Sequence, residues 1–124
     1  MRFWFDGGAR PNPGEMEIAV VVEDPWTVYR QRIGHGTNNL AEWTAFIWGL
    51  EIAANAGATR VQIEGDSALV VNQANGLWKV SNPSLRSFHE DFTRLKSSFV
   101  SLDIRWIGRD RNPAGLVLEG KMAR

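Results

Sequence analysis

The chain predicts an α/β domain in which one mixed sheet is flanked by helices, and three observations carry that prediction. Its first third holds three apolar, β-branched stretches divided by Gly/Pro-rich turns, the pattern of an antiparallel meander. The rest alternates helical and strand periodicities, giving the order βββαβααβα and hence five strands. Acids stand at the ends of apolar stretches, where a sheet presents side chains to its rim.

In chain order, residues 2–5 form a short apolar strand that ends at Asp6 and enters the turn Gly7-Gly8-Ala9-Arg10-Pro11-Asn12-Pro13-Gly14. Residues 15–23 are β-branched enough for a buried strand, which Asp24-Pro25 breaks. A third strand over 26–33 alternates imperfectly and is closed by Gly34-His35-Gly36. Thr37-Asn38-Asn39 offers N-cap residues for a long helix over 40–56, with Ala45, Phe46, Gly49, Leu50 and Ala53 on its inner face and Gly57 as its C-cap. Residues 60–64 read as a strand ending at Gly65-Asp66-Ser67, and residues 68–74 as a short helix closed by Asn75-Gly76. Pro83 opens a helix over 84–99 with Leu85, Phe88, Phe92, Leu95 and Phe99 at three- and four-residue spacings. Residues 101–107 alternate Leu102, Ile104 and Trp106 against polar neighbours. A polar loop, 108–111, precedes Asn112-Pro113, which caps and opens a last helix through Met122.

The 124 residues suffice for one domain, 1–124, with a core of its own and no internal repeat. Lys+Arg and Asp+Glu both number 14, so no global basic field announces nucleic acid, although Arg outnumbers Lys by 11 to 3 and suits phosphate contacts. The absence of Cys excludes a disulfide framework, a zinc ribbon and a thiol nucleophile. With no signal-peptide pattern and no apolar run long enough to span a bilayer, the expectation is a soluble, cytoplasmic protein, a monomer with no membrane or protein partner.

Asp6 taken alone is as well explained by a β-turn start as by function. Its neighbours change that. Asp66 also ends an apolar strand, and Glu42 lies one turn inside the long helix. If the two strands adjoin and the helix docks across them, three carboxylates converge, an arrangement that repels itself unless cations neutralise it. Mg²⁺ fits such oxygen donors, and two ions about 3.5–4 Å apart would clamp the attacking and leaving oxygens of a phosphodiester.

Phe5-Asp6-Gly7-Gly8 with Asn12-Pro13-Gly14, Thr37-Asn38-Asn39-Leu40-Ala41-Glu42, and Gly65-Asp66-Ser67 with Val70-Val71-Asn72-Gln73 resemble the ribonuclease H family, type 1, in order and spacing across nearly the whole chain. Gly76-Leu77-Trp78-Lys79-Val80 and the run from Trp106 to Asn112 are similar to its later segments. The resemblance implies a ribonuclease H-like fold with helices on both faces of the sheet. It also implies cleavage of the RNA strand of an RNA·DNA hybrid by water, with two Mg²⁺ or Mn²⁺ ions. Asp6, Glu42 and Asp66 map onto three of the family's four carboxylates, Asp6 as the bridging one. Gly7, Gly8, Asn12, Thr37, Asn38 and Asn39 match positions that grip the hybrid, where contacts to the 2′-OH distinguish RNA from DNA.

The last motif departs from the family. Asn112-Pro113-Ala114-Gly115-Leu116 puts Leu116 where the fourth aspartate stands. Asn112 could lend a neutral oxygen or serve only as N-cap, and Glu119 could reach back to the metal or be a solvated surface acid. No His follows Trp106 in the loop, where Arg109, Asp110 and Arg111 either touch phosphate or lie exposed. His35 and His89 lack metal partners at suitable spacing, and Trp4, Trp43, Trp48 and Trp106 read as core. Between Gly76 and Ser84 the only cation is Lys79, so substrate contact there falls to Lys79 and Trp78. Beside the hydrolase reading stand a nucleic-acid-binding module of the same fold with a weakened metal site, and a nuclease that cuts structured DNA.

Overall fold

The computed structural model describes residues 1–120. Five strands, β1 (Arg2–Ala9), β2 (Gly14–Val22), β3 (Thr27–Gly36), β4 (Arg60–Gly65) and β5 (Ser101–Trp106), form one sheet in the order β3-β2-β1-β4-β5. The first three pair antiparallel, whereas β4 and β5 run parallel to β1. Four helices, α1 (Asn38–Asn55), α2 (Ala68–Ala74), α3 (Pro83–Leu95) and α4 (Pro113–Leu118), and two 3-10 turns at Lys96–Ser98 and Arg109–Arg111 complete the order. No helix among the described residues is long and apolar enough to cross a membrane.

Period-two alternation divides the core between the two faces of the sheet. Phe3 and Phe5 of β1 with Met16, Ile18, Val20 and Val22 of β2 pack in one buried cluster with α1, α2 and α3. Trp4, Ala19 and Val21, the residues between them, pack with Ala114 and Val117 of α4. Each large apolar side chain fully buried in these layers contributes roughly 1.5–3 kcal/mol. The indole N–H of Trp43, fully buried, donates to Gln73 Oε1 at 2.9 Å, and the Gln73 amide nitrogen donates to the Lys79 carbonyl at 3.1 Å. One buried amide thereby ties α1, α2 and the segment after α2 together.

Two glycines let α1 approach β1 far more closely than side chains would permit. A Cβ at Gly49 would overlap the Phe3 ring, and a Cβ at Gly7 would overlap the Ala41 carbonyl. Close approach at both places sets the height of α1 over the strand, and so the depth of Glu42.

The structure departs from the periodicity in five places. β1 does not stop at Phe5 but runs to Ala9, so Asp6, Gly7 and Gly8 are strand residues paired with Ala19, Ile18 and Glu17 of β2 rather than part of a turn. β3 does not stop before Gly34 but runs to Gly36. Between the pairs Glu15↔His35 and Glu17↔Arg32, one residue of β2 faces two of β3, and Gly34 absorbs this bulge at φ +93°. α3 ends at Leu95 and tightens into the 3-10 turn at Lys96–Ser98. α4 ends at Leu118, with Gly120 at φ +74° just beyond it, and the expected end at Met122 lies outside the described residues. Trp106, expected in the core, is 55% exposed because it is the last residue of an edge strand, and its indole N–H donates to the Asp66 carbonyl at 3.1 Å.

The α1–β1 contact has a measurable sign. Helix propensity alone would make Gly49→Ala stabilising by about 0.5–1 kcal/mol. Overlap with the Phe3 ring should reverse that to a loss of about 1–3 kcal/mol in denaturant unfolding. An unchanged or raised midpoint would show that the helix does not sit against Phe3.

Candidate active site

The register that pairs Phe5 with Gly65 in adjacent parallel strands makes Asp6 and Asp66 the next residues along β1 and beyond β4. Two acids therefore emerge side by side where the parallel pairing of β1 with β4 ends, Asp6 within β1 and Asp66 just past the carboxyl end of β4, on the side of the sheet where α/β folds hold ligands. Glu42 comes from the second turn of α1, whose start is fixed by Thr37, the Oγ1 of which accepts from the Leu40 N–H at 3.2 Å. The Gly7 N–H donates to Glu42 Oε1 at 2.8 Å, which locks the glutamate onto the strand carrying Asp6. One carboxylate oxygen from each of Asp6, Glu42 and Asp66 lies within 4.8 Å of the others.

Burial makes the cluster electrostatically expensive. Asp6 is 4% exposed, and burial followed by the charge of Asp66 pushes its carboxyl up to about 7, with Arg109 pulling it the other way. Glu42 is raised well above the ordinary glutamate value by burial and then by the charges of Asp6 and Asp66, while the Gly7 N–H favours its ionised form. Asp66 is raised by burial, opposed chiefly by the Arg109 charge. Its Oδ2 is buried without a hydrogen-bond partner. An orphaned carboxylate oxygen beside two other carboxylates is the donor set that a hard divalent cation takes. The residues fit such an ion.

The cluster lies in a cleft of about 620 Å³ whose walls include Gly7, Gly8, Asn38, Asp6 and Glu42 together with Arg10, Arg32 and Arg109. Asn38 Oδ1 accepts from the Ala9 N–H at 2.7 Å, and the Asn38 N–H donates to Asn12 Oδ1 at 3.1 Å. Asn12 and Asn38, expected to grip substrate, thus first tie the β1–β2 segment to the start of α1, and Thr37 caps that helix. Asn39 is exposed beside them. Trp78, 49% exposed, and Lys79, also exposed, follow α2 and are not among the residues lining the cleft.

The two remaining candidates are held by other partners, Asn112 also standing beside Asp66, whose ionised form it favours. Asn112 is fully buried; its Oδ1 accepts from the Ala114 N–H at 3.1 Å as the cap of α4, and its Nδ2 donates to the Phe5 carbonyl at 3.0 Å. It fastens α4 to β1 at the residue before Asp6. Glu119 Oε1 accepts from the Arg109 Nε at 3.0 Å. On α4 the position facing the acids is Gly115, where a Cβ would stand 3.6 Å from Asp6 Oδ2 and 3.7 Å from Asp66 Oδ2, while Leu116 is half-buried. Arg109 was among the loop residues weighed for phosphate contact, whereas Arg10 and Arg32 escaped sequence reasoning because they come from a turn and an edge strand; the alternation of Arg30 and Arg32 on β3 was the one readable signal.

A family model described as reverse transcriptase-like matches residues 5–116. The bifunctional protein Rv2228c of Mycobacterium tuberculosis is 41% identical over 112 residues, 86% of this chain. The solved N-terminal RNase H domain of Rv2228c superimposes with a TM-score of 0.85 at 36% identity, covering 92% of each chain. Ribonuclease HI of Halobacterium salinarum is 34% identical over 113 residues, 88% of this chain. The chain spans 31% of the length of the mycobacterial protein and 57% of the halobacterial one. LC11-RNase H1, isolated from compost and solved in complex with an RNA/DNA hybrid, superimposes with a TM-score of 0.83 at 33% identity, covering 90% of this chain and 87% of that one. A family match over residues 5–116 and relatives at these identities, on a sheet that brings three acids to one rim, place the chain in the type 1 ribonuclease H family.

Proposed function

We propose that the chain hydrolyses the RNA strand of RNA·DNA hybrids in a reaction that depends on a divalent metal ion, Mg²⁺ or Mn²⁺. The observation that carries this reading is the trio Asp6, Glu42 and Asp66, one buried and two half-buried carboxylates from β1, α1 and the end of β4 within 4.8 Å of one another. A binding module would gain nothing from holding repelling acids together, since a hybrid is itself an anion. The hybrid as substrate is supported by the complex of LC11-RNase H1.

Asp6, Glu42 and Asp66 would hold the metal, and when bound it supplies Lewis-acid charge and acidifies water. The protein's part is preorganisation. The Gly7 N–H fixes Glu42, Asn112 fixes the backbone just before Asp6, and the Asn38 clamp shapes the wall along which the duplex lies. In the reaction a water oxygen bonds to phosphorus while the bond to the 3′ oxygen breaks; water gives up a proton to solvent and the departing oxygen gains one. Two ions are the arrangement that the family resemblance implies, with Asp6 shared between them. α4 offers Gly115 rather than an acid at its facing position, which favours a weakened second ion site.

A labelled hybrid incubated with the chain in Mg²⁺ and in Mn²⁺ should be cut in its RNA strand. Tight hybrid binding without cleavage in either ion would select the binding-module reading, and cleavage of structured DNA in its place would select the DNA nuclease. Asp6→Asn should lower the cleavage rate by a factor of about 10³ or more, as removal of a group acting in the transition state does, with the fold retained.

The same residue sets a pH dependence of stability. Asp6 holds its proton more tightly folded than unfolded, so its contribution is fully present below pH 3.8 and is lost as pH rises to about 7. Without metal, Asp6→Asn should therefore be more stable than the parent at about pH 8, by on the order of 1–3 kcal/mol, and the gain should shrink toward about pH 4. Mg²⁺ should raise the melting temperature of the parent more than that of the variant. Parallel melting curves at every pH would mean that the carboxylate is not confined as described.

A further inference from the structure

Strand pairing lays one wall of the cleft out in rows. Asp6 pairs with Ala19 and Ala19 with Arg30; in the next row Gly8 pairs with Glu17, and Glu17 with Arg32. Cross-strand partners project to one face of a sheet, so both arginines stand on the face that carries Asp6. Arg10 follows β1 directly and lines the cleft with Arg32. Arg30 is engaged, its Nε donating to Glu17 at 2.9 Å and a terminal nitrogen to the Val117 carbonyl at 3.3 Å. Glu17 is thereby taken, and Arg32 is left without an acid. Among the described residues neither Arg10 nor Arg32 has an ion pair or a hydrogen-bonded side chain, and both are exposed.

We propose that Arg10 and Arg32 form a phosphate site for the strand being cut, holding its backbone roughly three to four nucleotides from the scissile phosphate. The proposal rests on the hydrolase reading above, which puts the scissile phosphate at the acids. Four residues of extended backbone at about 3.3 Å each put Arg10 no more than about 13 Å from Asp6. That span is roughly the axial rise of four nucleotides in one strand of a duplex. Gly8, between them, adds no side chain to the wall. A guanidinium with its donors unused offers a planar fork matched to phosphate oxygens and stays charged at any working pH. Glu15 also lines the cleft without an ion pair among the described residues, and it opposes the two cations. The site adds grip on the hybrid; it takes no part in breaking the bond.

Binding of an RNA·DNA hybrid by the whole chain, measured over a range of salt concentrations, tests this. Each neutralised phosphate releases counterions, so Arg10→Ala and Arg32→Ala should each flatten the plot of log Kd against log salt by about 0.7–0.9. Each should weaken binding by about 3- to 10-fold at about 0.1 M salt, a loss that appears in KM while kcat moves less. Arg10→Lys and Arg32→Lys should keep the slope, since lysine still supplies a point charge. Glu15→Gln should tighten binding by about 2- to 5-fold. A hybrid with uncharged methylphosphonate linkages roughly three to five nucleotides from the cut should bind the parent more weakly and leave the double alanine variant unaffected. An unchanged slope in the double variant, or the same loss on the neutral-linkage hybrid, would overturn the proposal while leaving the hydrolase reading intact. A parent chain that cuts hybrid in neither Mg²⁺ nor Mn²⁺ would overturn both.

Discussion

Mutual repulsion among three crowded carboxylates, one buried and two half-buried, is the constraint on which the rest of this structure depends. A lone carboxylate denied water costs several kcal/mol, and neighbours of like charge add to it. Asp6 is pushed up to about 7 and Glu42 well above its ordinary value, so the fold holds the trio at a loss that protons or a metal ion must offset. What enforces the crowding is backbone geometry. Parallel pairing of β1 and β4 sets two aspartates side by side, and the absent side chains of Gly7 and Gly49 let α1 descend until Glu42 reaches the Gly7 N–H. Hydrophobic burial on both faces of the sheet stabilises a frame whose rim would otherwise fly apart.

The fourth side of the cluster is organised by different chemistry. Asn112 holds the α4 start to the strand that carries Asp6, and its side chain also favours the ionised form of Asp66. Arg109 and Glu119 then place a cation against the aspartates across a helix that contributes no acid. The cleft is of mixed sign, lined by Asp6, Glu15, Glu17 and Glu42 with Arg10, Arg32 and Arg109, so a polyanion approaching the acids meets arginines beside them.

Much of this was legible in the residues. The strand end at Asp66, the capped helix carrying Glu42 and the meander follow from local periodicity and turn chemistry, because each is decided within a few residues, whereas β1 continues past Asp6 to Ala9 because β2 pairs with it there. Long-range facts were not. Strand order, and with it the adjacency of β1 and β4, depends on pairing across some sixty positions. Trp106 looks like core in its own alternation and is exposed because β5 is an edge strand among the described residues. The bulge at Gly34 and the early end of α4 turn on single glycines with positive φ, which mark a turn without saying which strand or helix it edits. Spacing singled out Leu116 as the departure, but only the helix orientation reveals that Gly115 is the residue facing the acids.

The account stands most directly on proton release when a divalent ion binds. Calorimetric titration of Mn²⁺ into the chain, repeated in buffers of different ionisation enthalpy, counts the protons displaced as carboxyl groups become ligands. With Asp6 near 7 and Glu42 raised beside it, binding at about pH 6 should expel protons, and the release should vanish by about pH 9. Binding with no proton release at either pH, or no binding at all, would contradict a crowded, mutually repelling trio as the metal site.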